Sequence, residues 1–124
     1  VAALTSLGYQ GGKLTKTKSG RSSIEIQISG SPTYIDFYDC ADDFTDCYTL
    51  LFLYAMDLKA GTTLEKANEW NSQEITGRVS LDSELDPSID LSLTTFDGIP
   101  TAVFEQNVKL WDKKVGQVKD FFDF

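Results

Sequence analysis

The sequence predicts an α+β protein in which a twisted antiparallel sheet, made of a meander and a C-terminal hairpin, carries helices on one face. Three observations favour this fold class. Four strand-like runs separated by short turns fill much of the first half of the chain, as in a β-meander. A helix start signal and a second pair of strand-like runs follow, and a long helical repeat of apolar residues ends the chain. This order of helix, sheet, helix, hairpin and helix is typical of α+β proteins.

The chain length limits the architecture to one domain spanning residues 1–124. A chain of this size buries roughly two thirds of its unfolded surface on folding, which is enough for one hydrophobic core. The 124 residues include 41% hydrophobic and 12% aromatic residues, an ordinary globular composition. We therefore expect a folded domain without internal repeats or linkers.

The meander is predicted from turn residues and apolar alternation. Residues 1–7 resemble the end of a helix, which Gly8 would close in a left-handed conformation. Isoleucines alternate with polar residues over 23–29, which places them on one face of a strand. The Gly-Ser-Pro sequence of residues 30–32 forms the turn into the next strand. The predicted strands of the meander are residues 13–18, 23–29, 33–39 and 48–58.

A capping box predicts the helix that follows the meander. In this motif the Thr62 hydroxyl accepts a hydrogen bond from the Glu65 amide, and the Glu65 side chain reaches back. The helix that starts there ends near Gly77. Its apolar stripe consists of Leu64, Ala67 and Trp70.

A hairpin and a long helix complete the predicted fold. Residues 78–82 and 89–94 form the two strands of the hairpin. Pro100 suits the first turn of the last helix. Apolar residues recur in that helix at spacings of three and four, as expected for one face packed on a sheet. They are Phe104, Val108, Trp111, Val115, Val118 and Phe122.

The two cysteines and the apolar residues around them agree on one strand register. If Cys40 faces Cys47 across the mouth of a hairpin, Ile35 meets Phe52 and an apolar face results. Opposed residues of such a ladder lie within disulfide reach, and the bond would stabilise the protein by about 2–3 kcal/mol. Two alternatives stay open: reduced thiols that serve as small hydrophobes in a cytosolic protein, and a redox switch.

The same register predicts a second apolar surface. It pairs Tyr34 with Leu53 on the opposite face of the hairpin. If the helices cover only the first face, this second face is a patch of the kind that marks a partner surface. The alternative is that a loop or the N-terminal segment covers it. The candidate partner-binding residues are Tyr34, Tyr38, Leu51 and Leu53.

Charge and composition exclude several function classes. The chain contains no histidine, which excludes Ser-His-Asp triads, Cys-His dyads and histidine-bound metals. A formal net charge of −8 repels nucleic acid, so we expect no nucleic-acid partner. The basic residues between Lys13 and Arg21 are interpreted as the guard of an edge strand. The longest apolar run, residues 50–56, is far below the roughly 20 residues needed to span a bilayer, so we expect no membrane insertion.

Two acidic segments allow weaker alternatives. Residues 39–47 contain four loop aspartates, and residues 82–86 alternate acids as a calcium loop does. Solvated turns are the favoured interpretation, because the second segment lacks the glycine and the bidentate glutamate of such a loop. A general acid and base formed by Asp82, Glu84 and Asp86 is a further alternative. We predict no catalytic residue, no bound metal and no cofactor.

The chain resembles the YbjN domain family. The resemblance rests on Ala-Asn-Glu-Trp-Asn at residues 67–71, on Leu-Asp at residues 81–82 and on Asp-Pro-Ser-Ile-Asp-Leu at residues 86–91, and it extends over nearly the whole chain. This sequence departs from the family pattern at residues 75–76, where a basic and an aromatic residue are common, and at Leu85, where glycine is frequent. The matching motif residues are Asn68, Trp70, Asn71, Asp82 and Asp86.

The resemblance implies a fold and a kind of function. Members of the family are described as candidate bacterial sensory transduction regulators, and their fold looks like that of type III secretion chaperones, which are small, acidic and often dimeric. No catalytic residues are established for the family, so none carry over. Members with a similar cysteine pair often look like exported proteins, which favours the periplasm over the cytoplasm.

These observations lead to one main functional expectation. The chain is predicted to be a non-enzymatic protein-binding module, regulatory or chaperone-like, whose partner is unknown and which could form a homodimer. The alternative is a small periplasmic domain that binds a ligand or a metal through its acidic loops.

Overall fold

Six strands and two helices make up the part of the computed structural model that is described, namely residue 4 and residues 7–41, 47–96 and 98–124. The helices are α1 (Leu64–Gln73) and α2 (Thr101–Phe122). The strands are β1 (Gln10–Lys16), β2 (Ser22–Ile28), β3 (Ser31–Tyr38), β4 (Thr49–Ala55), β5 (Arg78–Leu81) and β6 (Pro87–Thr94).

The strands form one sheet in the order β1-β2-β3-β4-β6-β5, and every neighbouring pair is antiparallel. The first four strands are the predicted meander and the last two are the predicted hairpin, which confirms the antiparallel α+β fold class. Strand β4 pairs with β6, so β5 lies at the edge of the sheet. The similarity to type III secretion chaperones stays a prediction.

Helix α2 covers one face of the sheet, which we call the inner face. The Trp111 ring lies 5.8 Å from the Phe52 ring, and its indole N–H donates to the Thr33 hydroxyl at 3.4 Å. Five of the six predicted apolar positions of this helix are buried, and Phe104 is half-buried against the core. The spacing of apolar residues therefore predicted the packed face of α2 correctly, and we call the opposite side of the sheet the outer face.

The predicted register of the β3–β4 hairpin is confirmed. Ile35 lies opposite Phe52 on the inner face, and Tyr34 lies opposite Leu53 on the outer face. A shift by one residue would turn every one of these side chains to the other face, so the apolar pattern and the cysteine pair together specify this register.

Helix α1 begins one residue later than the capping box predicts. Thr63 is the N-cap, and its hydroxyl accepts from the Lys66 amide at 3.2 Å, so the predicted bond between Thr62 and Glu65 is wrong. The helix ends at Gln73 instead of near residue 77. Leu64, in the first turn, is 70% exposed and does not belong to the buried stripe, which consists of Ala67 and Trp70.

Two turns complete the comparison with the sequence. The β2–β3 turn consists of Ser29 and Gly30, both with positive φ, and β3 already begins at Ser31 rather than after Pro32. Two residues with φ above zero match the twist of a tight hairpin, which explains the shift. The predicted N-terminal helix falls mostly on residues outside those described.

Candidate functional site

The outer face presents three apolar side chains on the two central strands. Tyr34 of β3 lies opposite Leu53 of β4, and Leu51 lies in the neighbouring pair, opposite Asp36. They point away from α2 because successive residues of a strand alternate between faces and Phe52, between the two leucines, is buried in the core. We call Tyr34, Leu51 and Leu53 the apolar patch.

The apolar patch is accessible in the described structure. Tyr34 is 38% exposed, and Leu51 and Leu53 are half-buried. Tyr38, the remaining predicted partner-binding residue, lies further along β3 with the Arg21 guanidinium 3.9 Å above its ring. The structure thus brings three of the predicted residues together and places the fourth under a cation.

Polar groups around the apolar patch are paired with one another. The Tyr34 hydroxyl donates to Glu25 Oε1 at 3.1 Å, and the Ser23 hydroxyl donates to Asp36 Oδ1 at 2.5 Å. Burying a polar group is costly mainly when its hydrogen bond is lost. Because these groups already have protein partners, a binding partner could cover them without taking their hydrogen bonds away.

Two titratable groups of the outer face are held in their protonated forms. Partial burial, followed by the hydrogen bond to Glu25, raises the pKa of Tyr34 above its ordinary value. The hydrogen bond to Asp90, 2.9 Å from Arg78, raises the pKa of Arg78. Tyrosine and arginine are protonated at neutral pH even without these shifts, so neither side chain can act there as a general base.

A shallow groove continues the apolar patch towards the β5 edge. Its volume is about 470 Å³, and it opens between β4, β6 and the connection from α1 to β5. Ile75, in that connection, is fully exposed at the rim of the groove. The groove is lined by Leu51, Ile75, Thr76, Gly77, Arg78, Asp90, Leu91 and Ser92.

Sequence reasoning missed the groove and the exposure of Ile75. The pattern of a helix followed by a strand does not specify how the connection between them is placed. One signal was available, since a β-branched apolar residue in a short connection has no core position to fill. The signal indicates an exposed Ile75 only once the strand order is known, in which β5 pairs with β6 and not with β4.

A disulfide joins Cys40 and Cys47 at the end of the β3–β4 hairpin. Beyond the last paired residues, the Tyr48 amide donates to the Asp39 carbonyl at 3.2 Å and continues the ladder towards the cysteines. The Thr95 hydroxyl donates to the Cys47 carbonyl at 2.7 Å. The disulfide therefore closes a loop whose ends are already held by the sheet.

The acidic turn between β5 and β6 uses its carboxylates to bind backbone. Asp82 Oδ1 accepts from the amides of Glu84 and Asp86, both at 2.9 Å. Asp86 Oδ1 accepts from the Leu58 amide at 3.0 Å, which connects the turn to the segment before α1. Leu85 has a φ of 61°, a backbone conformation that glycine adopts more readily than other residues. These motif aspartates thus shape a turn.

The helical motif residues connect α1 to strand β5. The Trp70 indole N–H donates to the Gly77 carbonyl at 2.8 Å, and the Trp70 ring is buried against Phe121 of α2. The Asn71 side chain bonds both backbone groups of Val79, accepting from the amide at 2.9 Å and donating to the carbonyl at 3.0 Å. Asn68 is exposed. The contacts of Trp70 and Asn71 are therefore structural.

The described residues do not assemble a metal centre. Within residues 7–41, 47–96 and 98–124, no three His, Cys, Asp or Glu side chains are grouped so that they could hold a metal ion. The calcium alternative for residues 39–47 rests mainly on residues 42–46, which lie outside the described residues. Neither described helix is both long and apolar enough to cross a bilayer.

The fold and the outer face define a class of small α+β proteins with one sheet face covered by helices and the other accessible. Within that class, the chain belongs to the YbjN family, whose model matches residues 1–124 and is described as "Putative bacterial sensory transduction regulator". The comparison with curated proteins found no match, and the comparison with solved structures found none.

Proposed function

We propose that the protein is a non-enzymatic regulatory or chaperone-like module that binds a partner protein through the apolar patch. The observation that carries the proposal is the division of the sheet into two faces. Helix α2 covers the inner face, whereas Tyr34, Leu51 and Leu53 remain accessible on the outer face beside a groove. An amphipathic helix or strand of the partner could place its apolar side on this surface.

The chemistry of the outer face supports binding over catalysis. The patch offers apolar area whose burial is favourable by about 25 cal/mol per Å². Its polar neighbours are paired internally, which lowers the cost of removing water from them. The family description as a regulator is consistent with a function of this kind.

Photo-crosslinking and affinity measurements test the apolar patch. A photo-reactive residue in place of Leu53 identifies the partner in a bacterium that expresses the protein, and the purified partner is then titrated against variants. We expect Leu53→Asp to weaken binding by about 30-fold or more, because it puts a charge into an apolar contact. We expect its stability to fall as well, because Leu53 is half-buried and lies opposite Asp90 of β6, so the new carboxylate faces a like charge.

Two further variants make the result specific. Leu53→Thr removes the apolar side chain while keeping high strand propensity, so it should weaken binding even if the aspartate variant folds poorly. Leu64→Asp introduces the same charge at a leucine that is 70% exposed on α1, and it should leave affinity unchanged. Equal loss of binding in the Leu64 variant, or unaltered binding by Leu53→Thr, would contradict the proposal.

We also propose that the protein works in an oxidising compartment, the periplasm, rather than in the cytoplasm. The Cys40–Cys47 disulfide supports this, because such bonds persist outside the reducing cytosol. Alkylation of cell fractions after denaturation without reductant should find the protein in the periplasmic fraction with both cysteines unmodified. Two modified cysteines in the cytoplasmic fraction would refute the proposal.

A further inference from the structure

The two edges of the sheet differ in whether another strand could join them. At the β5 edge, the Asn71 side chain occupies both backbone groups of Val79, so an added strand cannot pair there without displacing it. At the opposite edge lies β1. The Thr17 amide donates to the Arg21 carbonyl, so this pair is a hydrogen-bonded pair of the β1–β2 ladder. Hydrogen-bonded and non-hydrogen-bonded pairs alternate along an antiparallel ladder, which makes Leu14 and Ile24 a non-hydrogen-bonded pair. The Leu14 amide and carbonyl therefore point away from β2.

Charge is distributed very unevenly between the β1 edge and the rest of the chain. Residues 1–24 contain four basic and no acidic residues, which gives +4, so residues 25–124 must carry −12 to reach the net charge of −8. The four basic residues lie between positions 13 and 21, in β1 and the turn after it. A basic edge on an acidic protein is an electrostatic signal for an acidic partner.

The side chains of β1 and of the turn after it place exposed lysines around one exposed leucine. Lys13 and Lys18 are exposed and form no ion pair with another described residue. Leu14 is 58% exposed and faces the same side as Ile24 opposite it, that is, the inner side. Cross-strand neighbours on one face stabilise a sheet when their side chains match. On the inner side Leu14 is followed by Lys16, and on the outer side Lys13 is followed by Thr15. A strand beside β1 would thus meet Leu14 and a lysine on one face and a lysine on the other.

We propose that the β1 edge binds an extended acidic segment of a partner protein, which adds to the sheet as a further strand. The segment would alternate acidic residues with apolar ones, so that acidic side chains lie near Lys13 and an apolar side chain lies beside Leu14. Backbone hydrogen bonds to Leu14 would supply the pairing common to strand addition. A second copy of β1 does not fit this edge, because two basic strands would repel each other.

A synthetic peptide tests this site without knowledge of the natural partner. The probe has seven residues, the length of β1, and alternates glutamate with valine. Nuclear magnetic resonance should locate binding at β1, and exchange of the Leu14 amide hydrogen should slow by about tenfold or more at saturation. A peptide that alternates lysine with valine, and a glutamate peptide with alternate amides N-methylated, should not bind, because the first has the wrong charge and the second lacks the backbone donors.

Two double variants test whether the peptide is attracted to the lysines of the β1 edge or to lysines anywhere on the protein. The double variant Lys13→Gln with Lys18→Gln should weaken peptide binding by about tenfold. The control, Lys109→Gln with Lys113→Gln, removes the same charge from exposed positions of α2. It should change the affinity for the peptide by less than about twofold. Leu53→Asp should leave peptide binding intact, which distinguishes this edge from the apolar patch. Absence of binding, equal binding of the lysine peptide, or protection elsewhere than β1 would overturn the proposal.

Discussion

Among single residues, Asn71 connects a family motif to the architecture most directly. Its side-chain amide has one acceptor and one donor, and both pair with the backbone of Val79 in the edge strand. An unpaired edge strand is a template for aggregation, so a side chain that occupies it protects the sheet. Asn68, one turn earlier on α1, is exposed. Asn71 is exposed as well, and it differs from Asn68 through its two hydrogen bonds to Val79.

We expect Asn71→Ala to destabilise the protein relative to Asn68→Ala by about 1–2 kcal/mol, as measured by urea unfolding. Each substitution gains roughly 0.5 kcal/mol of helix propensity, so the difference between them isolates the two hydrogen bonds to Val79. Amide exchange at Val79 should also accelerate in the Asn71 variant alone. Equal stabilities of the two variants would show that water replaces the asparagine without cost.

At the scale of elements, periodicity predicted the strands and the long helix well because each is specified by its own side chains. The alternating isoleucines placed β2 within a residue of its observed bounds, and apolar spacing identified the packed face of α2. The cysteines and apolar residues around them also gave the β3–β4 register, since only one register satisfies both faces.

Features that depend on contacts between distant elements could not be predicted in the same way. The capping-box pattern before α1 favours Thr62, and only the path of the chain selects its neighbour Thr63. Pairing of β4 with β6 rather than β5 requires long-range contacts that no local pattern encodes. The apolar patch was predicted because it follows from register, whereas the groove beside Ile75 follows from the strand order and was missed.

For the whole molecule, one hydrogen bond joins the two ends of the sequence. The Tyr9 hydroxyl, just before β1, donates to Asp112 Oδ2 of α2 at 2.7 Å. The two residues are 103 positions apart, so the bond exists only when the sheet and the last helix have assembled. Burial, then the hydrogen bond and the negative charge of Asp112, raise the pKa of Tyr9 from 10.0 to about 12.

This shift predicts how the stability of the protein depends on alkaline pH. A raised pKa means that the folded state holds the phenol proton more tightly than the unfolded state. The contribution of Tyr9 is therefore fully present below pH 10.0 and is lost as the pH rises towards about 12. Tyr9→Phe should cost about 1 kcal/mol at neutral pH, and the difference from the unmodified protein should shrink over that alkaline range.

A double-mutant cycle assigns the effect to the bond between the two ends of the chain. Asp112→Asn removes the charge and the strong acceptor that raise the pKa of Tyr9, so it should reduce the same alkaline loss of stability. The two substitutions act on one interaction, so their combined cost in urea unfolding should be less than the sum of the separate costs. Strict additivity, or an unchanged alkaline loss in Tyr9→Phe, would mean that other groups govern stability at high pH.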